Sequence, residues 1–172
     1  MRLAVAGLLA ACMTCYAGAA SSGCQVGQRL NQTELNSLLP GNTVCGRPVV
    51  PADGGGYPYS ASDRWQEEHR GTAPGPSQLW DYKKGPPPAE KIDPTKQVGT
   101  WEIVLISSGS GNSPDVYGVR HAYTGGPTFT WTMHKNPPST TVYSFCTGGV
   151  EHVRATVKTG IGVGCAAGDF PP

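Results

Sequence analysis

The sequence has 172 residues, a length typical of one domain, and its 13 Lys plus Arg nearly balance its 12 Asp plus Glu. That balance excludes the strongly basic surface by which proteins attract nucleic acid or anionic membranes. Glycine (24) and proline (16) exceed their usual shares, and there are only three Phe residues. This composition is typical of short strands joined by many turns.

The first 20 residues have the pattern of an export signal. Arg2 provides a positive start, an apolar run follows, and Ala17-Gly18-Ala19 forms an A-x-A cleavage site. We therefore predict a signal peptide over residues 1–20 and a single β-rich domain over residues 21–172, without a transmembrane segment. The predicted location is periplasmic or extracellular. Leu9-Ala10-Ala11-Cys12 also resembles a bacterial lipobox, so the alternative is an outer-membrane lipoprotein with a lipid anchor at Cys12.

Four cysteines follow the predicted signal: Cys24, Cys45, Cys146 and Cys165. An even number of cysteines in an exported chain favours disulfides, and four cysteines allow three pairings. We expect Cys24 to pair with Cys45 and Cys146 with Cys165, because each pair encloses one short structural unit. The alternative is a zinc site, but the spacing contains no C-x-x-C motif.

Residues 30–39 are predicted to form the one helix. Asn31 is placed as its N-cap, and Glu34 stands three residues later, as in a capping box. Leu30 and Leu35 are placed for the apolar contact that often accompanies such a start. Pro40-Gly41 ends the pattern.

The rest of the chain has a β pattern, with a Gly/Pro-rich loop over residues 48–59 and an extended proline-rich crossing over residues 85–94. Short strands are predicted at 43–46, 64–69, 79–83, 98–106, 117–123, 128–133, 141–146 and 151–157. These segments make about six to eight short strands at spacings of roughly 8 to 12 residues, which predicts a mainly β fold. We expect a single antiparallel sheet curled into a small barrel or sandwich, with the helix at its N-terminal side.

The densest polar cluster is Glu67-Glu68-His69. Two carboxylates beside an imidazole suit acid–base chemistry, as in a hydrolase. In a strand, however, Glu67 and His69 share one face and Glu68 lies on the other. A solvated edge strand explains the cluster as well, because charged side chains prevent edge-to-edge pairing. We favour the edge strand.

A second candidate site lies on the strand that contains His121. Tyr117, His121 and Tyr123 share one face, and Trp131 follows on the next strand, so these four residues are the predicted ligand-binding set. The alternative is a core histidine that is hydrogen-bonded to a neighbour. His134 and His152 fall on the outward phase of their strands and are predicted to lie at the surface.

No nucleophile motif is present, and neither G-x-S-x-G, S-x-x-K nor a phosphate-binding loop occurs. We expect no cofactor and no metal. The four tryptophans, Trp65, Trp80, Trp101 and Trp131, are predicted mainly as core residues. Three functions remain: a non-catalytic module that binds a small ligand, an envelope protein that binds or inhibits another protein through its loops, and a hydrolase.

The segments GNTVCG (41–46), LWDYK (79–83) and VGTW (98–101) resemble those of small exported bacterial proteins to which no function is assigned. The helix followed by GNT and the later Gly99-Thr100-Trp101 also resemble lipocalin-like (calycin) β proteins, in which a Gly-x-Trp motif lies on a strand near the barrel end. The resemblance implies a small β-barrel and assigns no residue to a site.

Overall fold

The computed structural model describes residues 23–49, 64–82 and 96–171, with only the backbone of Tyr82. The predicted signal peptide with Cys12, most of the 48–59 loop and the 85–94 crossing lie outside the described residues. The helix α1 spans Gln32–Leu38. The eight strands are β1 Asn42–Pro48, β2 Trp65–His69, β3 Ser77–Tyr82, β4 Lys96–Ser107, β5 Val116–Tyr123, β6 Thr128–Lys135, β7 Val142–Thr147 and β8 Val150–Thr159.

The strands form one closed antiparallel barrel in which each strand pairs with its neighbours in sequence. The first and last strands close the barrel, with Val44 of β1 opposite Val157 of β8. Closure removes every sheet edge, because each strand then has two partners. The predicted mainly β fold with one short helix is confirmed, and it is a barrel.

The prediction that residues 64–69 form a solvated edge strand is wrong. β2 pairs with β1 on one side and with β3 on the other. Glu67, Glu68 and His69 are all buried. These side chains therefore do not protect a sheet edge, because β2 is a strand within the closed barrel.

The two halves of the barrel interior differ. In the half nearer α1, large side chains fill the space, among them Leu79, Trp101 and Met133, each fully buried. Trp101 also donates its indole N–H to the carbonyl of Arg70, at 3.1 Å. The opposite half, where β1, β3, β5 and β7 end, is less completely filled.

The helix α1 closes the filled end of the barrel. Asn31 accepts a hydrogen bond from the Glu34 backbone N–H, and the Glu34 carboxylate accepts one from the Asn31 N–H, both at 2.9 Å. This confirms the predicted capping box. Leu30, Leu35 and Leu39 are buried in the same core cluster as the barrel interior, so the helix is anchored by its apolar side.

The predicted cysteine pairing is wrong, although both disulfides exist. Cys24 bonds to Cys146, and Cys45 bonds to Cys165. The prediction assumed that cysteines near in sequence would meet. In the barrel, α1 and β1 carry the chain away from Cys24, and the C-terminal segment returns to the outer face of β1 at Cys45.

Two terminal segments cover parts of the outer barrel wall. Residues 23–30 lie over β6 and β7, where His134 contacts the Gln25 carbonyl through Nδ1 at 2.8 Å. His134 is therefore buried, and its predicted surface position is wrong. Residues 160–170 lie over β2, and the backbone N–H of Cys165 donates to Gln66.

Two glycines permit the close packing of the strands. A Cβ on Gly99 would meet the Ala122 carbonyl oxygen at 2.1 Å, so no other residue fits where β4 curls against β5. A Cβ on Gly46 would meet the ring of Trp65 at 2.8 Å. The absent side chain at Gly46 thus lets the Trp65 ring lie across β1.

No helix within the described ranges is both long and apolar enough to cross a membrane.

Candidate functional site

A cavity of about 310 Å³ occupies the less filled half of the barrel. It reaches the turn between β5 and β6 at Pro127, at the end opposite α1. The other residues that line it come from seven of the eight strands: Val44, Trp65, Glu67, Asp81, His121, Tyr123, Phe129, Trp131, Phe145 and Val153.

One wall of the cavity is apolar and largely aromatic. Phe129 and Trp131 of β6 lie with their rings nearly parallel, at 13° and with centroids 5.1 Å apart. Phe145 of β7 meets Trp131 edge to face. Val153 of β8 and Val44 of β1 complete this side. Such a surface provides apolar contact area and π faces for a bound molecule.

The opposite wall carries the polar groups. Glu67 of β2 and Asp81 of β3 stand directly opposite each other in the sheet register, and both line the cavity. His121 and Tyr123 of β5 join them, and the Tyr123 hydroxyl donates a hydrogen bond to Glu67 Oε1. The polar atoms are thus gathered on one side, where they can orient a ligand.

The buried position of Glu67 alters its ionisation. Burial raises the pKa of Glu67 to about 8; the hydrogen bond from Tyr123 opposes this change, and the charge of Asp81 adds to it. At neutral pH the Glu67 carboxyl is therefore mostly protonated. The polar wall then holds a neutral acid beside Asp81.

His121 of this wall and His69, which does not line the cavity, form a buried pair. The Nε2 atoms of His69 and His121 lie 2.9 Å apart, so one ring donates and the other accepts. Burial lowers the pKa of His69 to about 3. Burial and the neighbouring His69 hold the pKa of His121 well below its usual value. Both rings are neutral at pH 7.

The second nitrogen of His121 faces the carboxyl of Glu67. His121 Nδ1 lies 3.4 Å from Glu67 Oε2, within ion-pair distance but without the alignment of a hydrogen bond. Both ring nitrogens of His121 are therefore directed at wall residues. The other polar residues that line the cavity are Glu67, Asp81 and Tyr123.

The predicted ligand-binding residues are brought together in part. His121, Tyr123 and Trp131 all line the cavity. Tyr117 does not; it pairs with Leu105 at the other end of β5 and packs on the core there.

The three residues of the predicted polar cluster are separated by the barrel wall. Glu67 lines the cavity, and His69 lies behind the cavity, where its ring meets Trp101 edge to face. Glu68 points outward, where it pairs with Arg70 at 2.7 Å and accepts from the Gly162 N–H at 2.5 Å. The carboxylate pair predicted for hydrolysis therefore does not exist.

Asp81, Trp65 and Phe129 line the cavity but were absent from the predicted site. In a strand, Asp81 shares a face with the apolar Leu79, and a carboxylate on a core-facing phase is the signal that could have identified it. Trp65 is predicted above as a core residue, and Phe129 belongs to the predicted strand 128–133. Their sequence neighbourhoods do not distinguish a filled interior from a hollow one.

In the described parts of the chain, no group of three or more His, Cys, Asp or Glu side chains is arranged to hold a metal ion. No protein-family model, curated protein or solved structure matches the chain.

Proposed function

We propose that this protein is an exported, non-catalytic β-barrel module that binds a small ligand inside its barrel. The observation that carries the proposal is the cavity of about 310 Å³ with one aromatic wall and one polar wall. Its volume falls at the lower end of the range for small-molecule sites, about 300 to 1,000 Å³. A small, mostly apolar molecule with one polar group fits this distribution.

The architecture supports the same function. An eight-stranded up-and-down barrel has an interior wide enough for one small ligand, as lipocalins illustrate. The helix α1 closes one end, so a ligand enters from the opposite end, near Pro127. The resemblance of the VGTW segment to lipocalin-like proteins is part of this proposal.

Export is supported by the two disulfides, which persist in oxidising compartments. We place the protein in the periplasm or outside the cell, either free or anchored through Cys12.

The cavity fits a hydrolase less well than it fits a ligand-binding protein. A hydrolase needs a base that reaches substrate or water, but both nitrogens of His121 are directed at wall residues. Glu67 is mostly protonated at neutral pH and so provides no general base there. We therefore do not assign a reaction.

A cavity-blocking substitution tests the proposed function. The neutral dye N-phenyl-1-naphthylamine fluoresces in apolar pockets, and we expect saturable binding to the purified protein. Val153→Phe fills part of the cavity and is expected to weaken this binding by about tenfold or more, equivalent to about 1.4 kcal/mol. The readout is dye fluorescence, with melting temperature as the check on folding.

Val150→Phe is the matched control for this test. Val150 belongs to the same strand, but 45% of its surface is exposed, against 6% for Val153. We expect Val150→Phe to bind the dye as the unmodified protein does. Equal binding by the Val153→Phe variant, or no saturable binding by the unmodified protein, would refute the proposed function.

A further inference from the structure

The aromatic side chains of the cavity are arranged as a connected set of rings. Phe129 and Trp131 form a stacked pair. Perpendicular contacts join this pair to its neighbours, since Phe145 meets Trp131 at 89° and Tyr123 meets Phe129 at 77°. Stacked and perpendicular pairs are the geometries that aromatic rings prefer. A flat aromatic ring in the cavity would extend this set, whereas a saturated ring of the same size would not.

The aromatic and polar walls of the cavity meet at β5. The His121 ring lies edge to face with Trp131, with centroids 5.3 Å apart, and its Nδ1 lies 3.4 Å from Glu67 Oε2. The Tyr123 ring contacts Phe129, with centroids 6.1 Å apart, and its hydroxyl donates to Glu67 Oε1. Each of these two side chains contacts both walls. A single small molecule is therefore long enough to do the same.

Glu67 has one carboxyl oxygen that is not hydrogen-bonded within the described parts of the chain. Oε1 accepts from Tyr123, whereas Oε2 has only the misaligned approach of His121 Nδ1. That buried nitrogen also lacks a hydrogen bond to any described residue. Buried polar groups are normally paired, because a hydrogen bond left unmade is costly. Since Glu67 lines the cavity, a polar group of a ligand can pair with Oε2.

A hydroxyl group suits Oε2 in both ionisation states of Glu67. The neutral carboxyl predominates at pH 7, since burial raises the pKa of Glu67 to about 8. A hydroxyl oxygen accepts a hydrogen bond from the neutral carboxyl, and its own O–H donates to the carboxylate when Glu67 is ionised. This contact therefore requires no particular charge on Glu67 or on the groups around Asp81.

We propose that the ligand is phenol-like, a flat aromatic ring with a hydroxyl group, and that its ring packs against Phe129 and Trp131 while its hydroxyl binds Glu67 Oε2. This inference rests on the proposed ligand-binding function and adds the chemical class of the ligand. It assigns the polar contact to Glu67 and the preference for a flat ring to the aromatic wall.

Matched triplets of small molecules test this inference by displacement of N-phenyl-1-naphthylamine from the purified protein at pH 7. The first triplet is 4-ethylphenol, 4-ethyltoluene and 4-ethylcyclohexanol. The second is 5-indanol, 5-methylindane and octahydroinden-5-ol. Within each triplet, the second compound replaces the hydroxyl by a methyl group, and the third keeps the hydroxyl but saturates the ring.

We expect the phenol of at least one triplet to bind more tightly than both of its analogues. The advantage over the saturated alcohol is expected to be about tenfold or more, because a saturated ring does not make the aromatic contacts. The advantage over the methyl analogue is expected to be about threefold or more, because a methyl group leaves Glu67 Oε2 unpaired.

Glu67→Leu is the decisive variant, and Glu102→Leu, on the outer face of β4 beside Arg120, is its control. Glu67→Leu is expected to remove the preference for the phenol over its methyl analogue, and the control is expected to keep it. Glu67→Gln is expected to restore most of the preference that leucine removes, because an amide both donates and accepts. If Glu67→Leu does not fold, the triplets on the unmodified protein decide the question alone.

The outcomes separate this inference from the function on which it rests. Suppose that the dye binds and Val153→Phe blocks it, but no phenol displaces the dye, or in both triplets an analogue binds as tightly as the phenol. The ligand is then not phenol-like, and the binding function stands. A preference for the phenol that persists unchanged in Glu67→Leu would also overturn the inference. If the dye does not bind, the proposed function itself fails.

Discussion

At the residue scale, Glu67 contacts or faces the other three polar residues of the cavity wall. It accepts a hydrogen bond from Tyr123, faces His121 at 3.4 Å, and stands opposite Asp81. Its burial places a titratable acid where ionisation is unfavourable. The buried carboxyl is tolerated because it is protonated. The stability of the protein therefore depends on the pH at which Glu67 loses this proton.

Because of Glu67, the free energy of unfolding is expected to fall as pH rises towards 8. The unfolded chain releases this proton near pH 4.5, whereas the native protein holds it up to about pH 8. Between these values the native state binds the extra proton, so this contribution to stability is present at low pH and is lost as pH rises to 8. Glu67→Gln removes the effect, since an amide does not titrate.

We therefore expect the stability of Glu67→Gln, relative to the unmodified protein, to increase from pH 5 to pH 8. The slope is up to about 1.4 kcal/mol per pH unit. Urea unfolding at pH 5, 6.5 and 8 measures this slope. Glu102→Gln, on the outer face of β4 beside Arg120, is the control. A difference that does not change with pH would show that Glu67 is already ionised in the native state.

The alternation of residues predicted only part of this wall. It placed Glu67 and His69 together on one face and Glu68 on the other, as the structure has them. It did not predict which face is inside, because alternation gives a relative phase only. Two acids and a histidine are typical of a solvent-exposed strand. Only barrel closure places Glu67 and His69 in the interior, and the C-terminal segment covers Glu68 on the outer face.

At the element scale, α1 closes one end of the barrel with only seven residues. A helix this short is not stable alone, and its capping box and buried leucines must hold it in place. The sequence predicted both features, because caps and apolar spacing are local. Substitutions in α1 therefore test how much its capping box and its buried leucines stabilise the closed end of the barrel.

Asn31→Ala removes the capping interaction of α1. We expect a loss of about 1 kcal/mol in the free energy of unfolding, because the Glu34 N–H loses its acceptor. Asn36→Ala, an exposed position in the same helix, is the matched control. It is expected to be neutral or slightly stabilising, since Ala has the higher helix propensity. Equal effects of the two substitutions, measured by urea unfolding, would contradict the capping role.

The disulfides lie between elements that are far apart in sequence. They join residues 122 and 120 positions apart, and chain entropy alone gives about 4 to 5 kcal/mol for a loop of that length. The sequence predicted four bonded cysteines and not their partners. Pairing depends on which outer face each cysteine occupies, and that is decided by barrel closure and by the terminal segments.

At the scale of the whole molecule, the number and even spacing of strands were sufficient to predict a small antiparallel barrel or sandwich. The bounds of the eight strands also agree closely with those predicted. The cavity was not predictable in the same way. Whether Trp65, Phe129 and Trp131 fill the interior or line a space depends on volumes summed over seven strands, and no local pattern contains that sum.

The central claim is that a ligand binds inside the barrel, and the four tryptophans test it most directly. Trp65 and Trp131 line the cavity, whereas the Trp101 ring lies in the filled half and Trp80 meets Arg70 by a cation–π contact, its guanidinium 3.9 Å from the ring centroid. The measurement is the set of indole N–H signals in a ¹H–¹⁵N spectrum during titration with N-phenyl-1-naphthylamine. We predict that the Trp65 and Trp131 signals shift with saturation while the Trp80 signal stays in place. Saturable shifts confined to Trp80, or dye binding that leaves Trp65 and Trp131 unmoved, would contradict the claim.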